Sequence, residues 1–283
     1  MFCRRIHAVR SPIGVFDSGV GGLTVLRAMR ELLPFEDFVY LADTARFPYG
    51  RKPKAMIAGF ARQNAAFLES CGAKMVVVAC NTASTCIDSS TASVPIIGVI
   101  DPGVMAASAA SNGGVVGVLA TRGTIASGAY QSRLEARGHD VWAQSCPMLA
   151  PLVEEGLADA KEAQLLIEYY LQKRPKNLDA LILGCTHYPV LKNAIATYLG
   201  DTIQVVDSAF ATANVVAKEL QNRGLALATE NFGQITHFIT GDPQSYQHTA
   251  KVIGGVDGEM HHLEIESLLA ATQKSVTQVS SLK

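Results

Sequence analysis

The chain of 283 residues has almost no net charge: 24 lysines and arginines stand against 25 aspartates and glutamates, a formal balance of −1. With no basic excess and no basic stripe, it carries no electrostatic footprint for a nucleic-acid backbone. Long apolar runs are missing as well. No stretch approaches the roughly 18 consecutive apolar residues of a membrane-spanning helix, and the segment after Arg4 and Arg5 lacks the continuous apolar core of a signal peptide. The expected location is cytoplasmic, with neither nucleic acid nor membrane as partner. Six cysteines (Cys3, Cys71, Cys80, Cys86, Cys146, Cys185) are too few for a disulfide framework in so long a chain, and a reducing compartment keeps them as thiols. Nucleotide signatures are absent too. Asp17-Ser18-Gly19-Val20-Gly21-Gly22 fits neither the dinucleotide fingerprint nor the P-loop, which needs Gly-Lys-Ser/Thr. No lysine sits at a glycine-flanked strand end of the kind a pyridoxal Schiff base uses. Neither a cofactor nor a metal is expected.

What is present is an ordinary globular composition, 48% hydrophobic and 17% charged, with a strong alternation of strand and helix signals. The apolar run Ile13 to Phe16 predicts a strand, followed by a glycine-rich turn and a helix over Leu23 to Leu33. Strands are expected at Phe38 to Ala42 and Met75 to Ala79, with a helix from Ile57 to Ser70 between them. A second series starts at Gly113-Gly114. It has strands at Val115 to Leu119, Val141 to Ala143 and Leu178 to Leu183, and helices at Ile125 to Arg137 and Ala160 to Arg174. Such βαβα alternation predicts a parallel sheet covered by helices on both faces. Asp17 lies 63 positions before Cys80 and Thr121 lies 64 before Cys185, so one plan is used twice. The turn residues Ile100-Asp101-Pro102-Gly103 mark the expected boundary between the units. Farther on, Thr212 to Asn222 and Ser245 to Ile253 read as helices, and His237 to Thr240 and His262 to Ile265 as strands. His261-His262 reads as an exposed turn, and Ala270 to Lys283 lacks an apolar pattern and is expected to fray.

Two of these strands end alike. Met75-Val76-Val77-Val78-Ala79 runs into Cys80-Asn81-Thr82, and Ala180-Leu181-Ile182-Leu183-Gly184 into Cys185-Thr186-His187. Parallel sheets hold their chemistry at strand C-termini, so each cysteine is placed at a site edge. If the two edges face one another, a ligand between them meets a thiol on each side. Inverting a carbon centre by proton transfer needs that arrangement, a base on one face and an acid on the other. The reference cysteine pKa of about 8.5 makes both thiol and thiolate reachable with modest help. His187 is the natural helper for Cys185, and Asp17, at the end of the neighbouring strand, can relay a proton for Cys80. Asn81, Thr82, Thr186 and Ser18 add neutral donors, which suits a small dicarboxylate or an amino acid. A lone strand-end cysteine is more often a small buried hydrophobe; Cys3, Cys71, Cys86 and Cys146 keep that reading.

Asp17-Ser18-Gly19-Val20-Gly21-Gly22-Leu23, Pro48-Tyr49-Gly50, Cys80-Asn81-Thr82-Ala83-Ser84 and Gly184-Cys185-Thr186-His187-Tyr188-Pro189, in this order, closely resemble glutamate racemases. The resemblance runs from about Ile13 to about Pro243. It implies an α/β fold of two similar doubly wound parallel-sheet domains with the active site between them. The chain returns to the first domain, giving 1–102 with 208–283 and a second domain over 103–207. It implies cofactor-independent interconversion of L- and D-glutamate for peptidoglycan synthesis, with Cys80 and Cys185 as the acid/base pair assisted by Asp17 and His187. Asp17, Ser18, Tyr49, Gly50, Asn81, Thr82, Thr121, Thr124, Thr186 and His187 are implied to hold substrate. Ala120 stands where the family commonly has glycine. The site carboxylate matches at either Glu154 or Glu155, and Glu154 is preferred. The resemblance leaves open an activating peptidoglycan precursor and a homodimer. Other readings are a related two-cysteine racemase or isomerase acting on aspartate or another small acid, a non-catalytic two-lobed amino-acid-binding protein, and a thiol redox sensor.

Overall fold

The computed structural model describes residues 10–255 and 257–280, so Cys3, Arg4 and Arg5 lie outside the described residues. The first unit runs β1 (Ile13–Asp17), α1 (Leu23–Leu32), β2 (Phe38–Ala42), α2 (Lys54–Ser70), β3 (Met75–Val78), α3 (Asn81–Ser84) and β4 (Ile96–Gly98). The second comprises α4 (Ile100–Ala110), β5 (Val115–Ala120), α5 (Arg122–Ala126), α6 (Ala129–Glu135), β6 (Val141–Ser145), α7 (Leu149–Glu154), α8 (Lys161–Leu171), β7 (Leu178–Gly184), α9 (Lys192–Leu199) and β8 (Gln204–Asp207). Then follow α10 (Ser208–Asn222), β9 (Ile235–Ile239), α11 (Pro243–Ile253), β10 (Glu259–His262) and α12 (Ile265–Ser280).

Two sheets result, a six-stranded one in the order β10-β9-β2-β1-β3-β4 and a four-stranded one in the order β6-β5-β7-β8. Every strand pair is parallel. In each sheet the unit's first strand is central, the second lies on one side, and the third and fourth lie on the other. The doubled plan expected from the sequence is therefore a doubled topology. β9 and β10 extend the first sheet beyond β2, so the chain comes back to it after β8.

The apolar runs are continuous because both faces of these sheets are covered. Ile13 and Val15 of β1 face the core that holds Leu26 and Met29 of α1, whereas Phe16 faces the one that holds Ala65 and Leu68 of α2. Val116 and Val118 of β5 pack with Ile100, Val104 and Ala107 of α4. Burying a side chain of this size is worth about 1.5–3 kcal/mol, so the faces, once covered, fix which way each strand end points. α10 packs on both α1 and α4, and α12 packs on α2.

Several local expectations are corrected. Ile100 to Gly103 is not a turn but the start of α4. Asp101 lies in its first turn, where an acidic side chain suits the helix dipole and Pro102 is tolerated. The single helix expected over Ile125 to Arg137 is broken into α5 and α6 at Gly128, whose φ of 66° is left-handed. His261 and His262 belong to β10 rather than to an exposed turn, and the His261 ring stacks on Phe238 at 5.4 Å. The last strand thus ends at His262 instead of beginning there. Residues 270–280 continue α12, because that helix finds a tertiary partner in α2 that no local pattern announces. Cys71 is disulfide-bonded, so the expectation of six thiols fails there. Cys80, Cys86, Cys146 and Cys185 are free.

Candidate active site

β3 and β7 hold equivalent places in the two sheets, and each delivers a cysteine just past its last paired residue. Cys80 caps α3: its sulfur accepts from the Ala83 amide at 3.5 Å, and its S–H points to Ser18 Oγ at 3.5 Å. Cys185 follows Gly184, and its sulfur lies 3.8 Å from His187 Nδ1. Both sulfurs line one small cavity between the two sheets. Ser18, Tyr49, Gly50, Asn81, Thr82, Thr121, Thr186 and His187 line the same cavity. Asp17, Thr124 and Glu154 stand behind this wall and act on it through hydrogen bonds. Glu154, at the end of α7, meets His187 Nε2 through Oε1 at 2.8 Å, which chooses it over Glu155 as the carboxylate of that side.

The two sulfurs have unlike surroundings. Burial, followed by the nearby Asp17 carboxylate, pushes the Cys80 thiol up to about 12. The Ser18 hydroxyl and the Ala83 amide pull the other way without prevailing. On the opposite side, burial alone would depress the His187 imidazolium. Its hydrogen bonds and charge interactions with Cys185 and Glu154 outweigh that effect and raise it to about 10. At neutral pH a cation therefore stands beside Cys185. Burial raises Asp17 above the usual carboxylate range, against the pull of His187 and of the Gly19 and Gly22 amides. Asp17 Oδ1 accepts from the Gly19 amide at 2.9 Å, and Oδ2 accepts from Thr186 Oγ1 at 3.3 Å. Asp17 is thus tied to the Cys185 turn, and the group that touches Cys80 directly is Ser18.

Each cysteine turn is braced from the other unit. Thr82 Oγ1 is 2.9 Å from Thr121 Oγ1 and 3.1 Å from Thr124 Oγ1, and Asn81 Oδ1 accepts from Tyr130 at 2.6 Å. Reciprocally, Thr186 is held by Asp17 and, at its carbonyl, by Thr24 Oγ1 at 3.1 Å. Two glycines permit this approach. A Cβ on Gly21 would lie 2.6 Å from His187 Nδ1 and press on Thr186 Oγ1, and one on Gly50 would lie 2.7 Å from Thr121 Cβ.

Tyr49 lines the cavity, but its hydroxyl is spoken for elsewhere. It donates to Asp43 Oδ2 and accepts from Asn64 Nδ2 at 3.1 Å, beside the buried Arg46–Asp43 pair. Sequence reasoning missed several lining residues. Arg51 and Arg122 bring positive charge to the cavity, and Phe47, Pro147 and Ala150 supply apolar wall. Arg51 directly follows the Pro48-Tyr49-Gly50 motif and Arg122 lies in the Thr121 turn, and these neighbours were the only signal for them. Thr24 and Tyr130 carried none, because their partners lie 162 and 49 residues away.

A family model described as Asp/Glu/hydantoin racemase matches residues 13–216. A glutamate racemase of Thermus thermophilus is 48% identical over 262 residues, 92% of this chain and 98% of that protein. The crystal structure of glutamate racemase from Thermus thermophilus in complex with β-chloro-D-alanine superposes with a TM-score of 0.84 at 46% identity, covering 91% of this chain and 98% of that one. That of Francisella tularensis, in complex with D-glutamate, gives 0.84 at 33% identity over 91% and 99%.

Proposed function

Since the chain belongs to the Asp/Glu/hydantoin racemase family and is an amino-acid racemase, an isomerase, we propose that it interconverts L- and D-glutamate by proton transfer between Cys80 and Cys185, without a cofactor. The observation that carries this reading is that the two units each place one thiol in the wall of the same cavity. One sulfur, as thiolate, takes the α-proton, and the electron pair stays on the substrate carbon and its carboxylate. The other sulfur, as thiol, gives its proton to the opposite face. The products are the mirror-image amino acid, a thiol where the thiolate stood, and a thiolate where the thiol stood. The protonation states must then be exchanged before the next turnover in the same direction.

The helpers serve that exchange differently. At Cys185 the His187 imidazolium, held by Glu154, offers a cation to an anionic sulfur and a proton route away from it. Next to Cys80 the Asp17 carboxylate opposes an anionic sulfur, so this end holds its proton and its exchange runs through Ser18. In the ground state Cys80 is the acid. Asn81 Nδ2, buried and without a partner among the described residues, together with the threonine hydroxyls and the Arg51 and Arg122 charges, suits a ligand with two carboxylates. The D-glutamate produced supplies peptidoglycan synthesis, a role for a cytoplasmic enzyme. Among the described residues no helix is long and apolar enough to cross a membrane.

The test is incorporation of deuterium at Cα from D₂O together with the change in optical rotation, starting from each enantiomer of glutamate and of aspartate. Loss of optical activity with solvent deuterium in the product is expected from both forms of glutamate. Equal or faster turnover of aspartate would overturn the substrate assignment, and tight glutamate binding without exchange would overturn catalysis.

A further inference from the structure

Asn81 directly follows Cys80 and is 97% buried, yet only one end of its amide is satisfied. Its oxygen accepts from Tyr130 at 2.6 Å, whereas its nitrogen has no partner among the described residues, and the residue lines the cavity that holds both sulfurs. A buried amide N–H without an acceptor is costly unless a ligand supplies one. We propose that Tyr130, on the second unit, is a positioning residue that fixes the Asn81 amide with its nitrogen presented to the cavity, as a donor to a substrate carboxylate.

Three features of the surroundings support this assignment, which rests on the racemase reading of the cavity. The Tyr130 side chain is fully buried, and burial raises its phenol above the ordinary value, so it remains a neutral O–H donor over the working pH range. A donor selects the carbonyl end of an amide rather than its NH₂ end. The ring also has no freedom to tip away. A Cβ on Gly103 would lie 3.3 Å from its hydroxyl, and one on Gly184 would lie 3.1 Å from Cε2, so two glycine backbones close on it. Were the amide reversed, two NH₂ hydrogens would face the phenol and a lone-pair oxygen would face the incoming carboxylate. With the amide reversed the phenol would have to accept, and its own buried O–H would lose the acceptor it has in Asn81 Oδ1. Tyr130 thus disfavours the orientation that repels the substrate, and it does so from the opposite unit, so the donor is set only when the two units are together.

The experiment is a double-mutant cycle of Tyr130→Phe and Asn81→Ala, read by steady-state kinetics on both glutamate enantiomers and by calorimetric binding of D-glutamate. Phenylalanine keeps the ring and its packing, and thermal midpoints check that all four proteins fold. Tyr130→Phe is expected to raise KM and the dissociation constant about tenfold, with kcat changed less than about threefold. In the Asn81→Ala background the same change should shift binding less than about twofold, because the amide it orients is gone. An unchanged KM, a loss confined to kcat, or an equal effect in both backgrounds overturns the positioning role. A wild-type protein that binds D-glutamate and shows the cycle but does not racemise overturns the proposed function and leaves the role of Tyr130 standing. One that neither binds nor turns over glutamate overturns both.

Discussion

The Cys80 turn and the Cys185 turn occupy the same position in two sheets of the same strand order, yet they differ in what holds them and in what charge they face. Cys80 begins a short helix, is met by a hydroxyl and senses a carboxylate; Cys185 begins a turn that carries its own histidine and, through it, Glu154. The similarity comes from topology, which brings the third strand of each unit to the cavity. The difference comes from the first strands, one ending on Asp17 and the other running through Ala120 into Thr121. Duplicating a scaffold thus supplies two thiol positions on one cavity, and the residues behind each decide the charge it faces. Because both turns are braced from the opposite unit, neither sulfur is placed by its own sheet alone.

The comparison breaks most severely at the sulfurs themselves. Cys80→Ser and Cys185→Ser should each lower two-way racemisation by at least about 10³-fold, since a serine hydroxyl is a poor base at neutral pH. Polarimetry starting from each enantiomer checks this, and ordinary turnover by either variant would sink the two-base scheme. Next comes Gly21→Ala, which drives a methyl group into Thr186 and His187. A displacement on the order of 1 Å there should reduce kcat/KM by about 100-fold while far-UV circular dichroism stays that of the folded protein.

The helper pair sharpens the asymmetry. The two enantiomers are equal in free energy, so kcat/KM must fall equally in both directions for any variant; a side-specific role appears in kcat and KM taken separately. His187→Asn is expected to reduce kcat more in the direction that begins with proton removal by Cys185, whereas Asp17→Asn, which removes the carboxylate that opposes a Cys80 thiolate and frees Thr186, is expected to reduce kcat less in the direction that begins at Cys80 than in the other. Equal changes of kcat from both enantiomers would remove the division of labour. The same variants differ in stability. A raised histidine pKa contributes stability that is fully present below its unfolded value of about 6.5 and is lost as pH rises through about 10. The deficit of His187→Asn in thermal midpoint should therefore shrink between those pH values. Asp17 has the raised value of a buried acid, so its stability contribution is present only below the ordinary carboxylate range and is lost as pH rises. The thermal midpoint of Asp17→Asn relative to that of the parent protein should therefore rise with pH, while turnover is impaired.

The smallest effect is expected from the braces. Thr24→Val deletes the hydroxyl shared between the Gly21 and Thr186 carbonyls, and it should cost roughly 0.5–1.5 kcal/mol of stability with less than about threefold change in kcat/KM. A large kcat loss there would show that the Cys185 turn depends on the first unit more than the geometry indicates.

Much of the fold is legible in the sequence. Strands such as Phe38–Ala42 are found where the apolar runs put them, because a strand buried on both faces writes itself as a continuous run. Where reading failed, the deciding partner was distant in sequence. Residues 270–280 look unpatterned alone and are helical against α2. Asp101-Pro102-Gly103 looks like a stop and is a helix start, with Gly103 small enough to let Tyr130 and Ser208 approach. Asp17 was assigned to the Cys80 side because both belong to one sheet, yet its own hydrogen bonds are to Gly19 and, across the cleft, to Thr186.

The sequence by itself determined the doubled strand plan, the placing of Cys80 and Cys185 at strand ends, and the presence of His187 within one of those turns. These are properties of neighbours along the chain, and local periodicity records them. Only the tertiary structure decided that Glu154 rather than Glu155 holds His187, that Ser18 is the group against Cys80, and that Tyr130 and Thr24 brace turns in the opposite unit. Hydrogen bonds act over about 3 Å in space whatever the separation in sequence. Residues scores of positions apart acquire their roles only when two sheets close on one cavity.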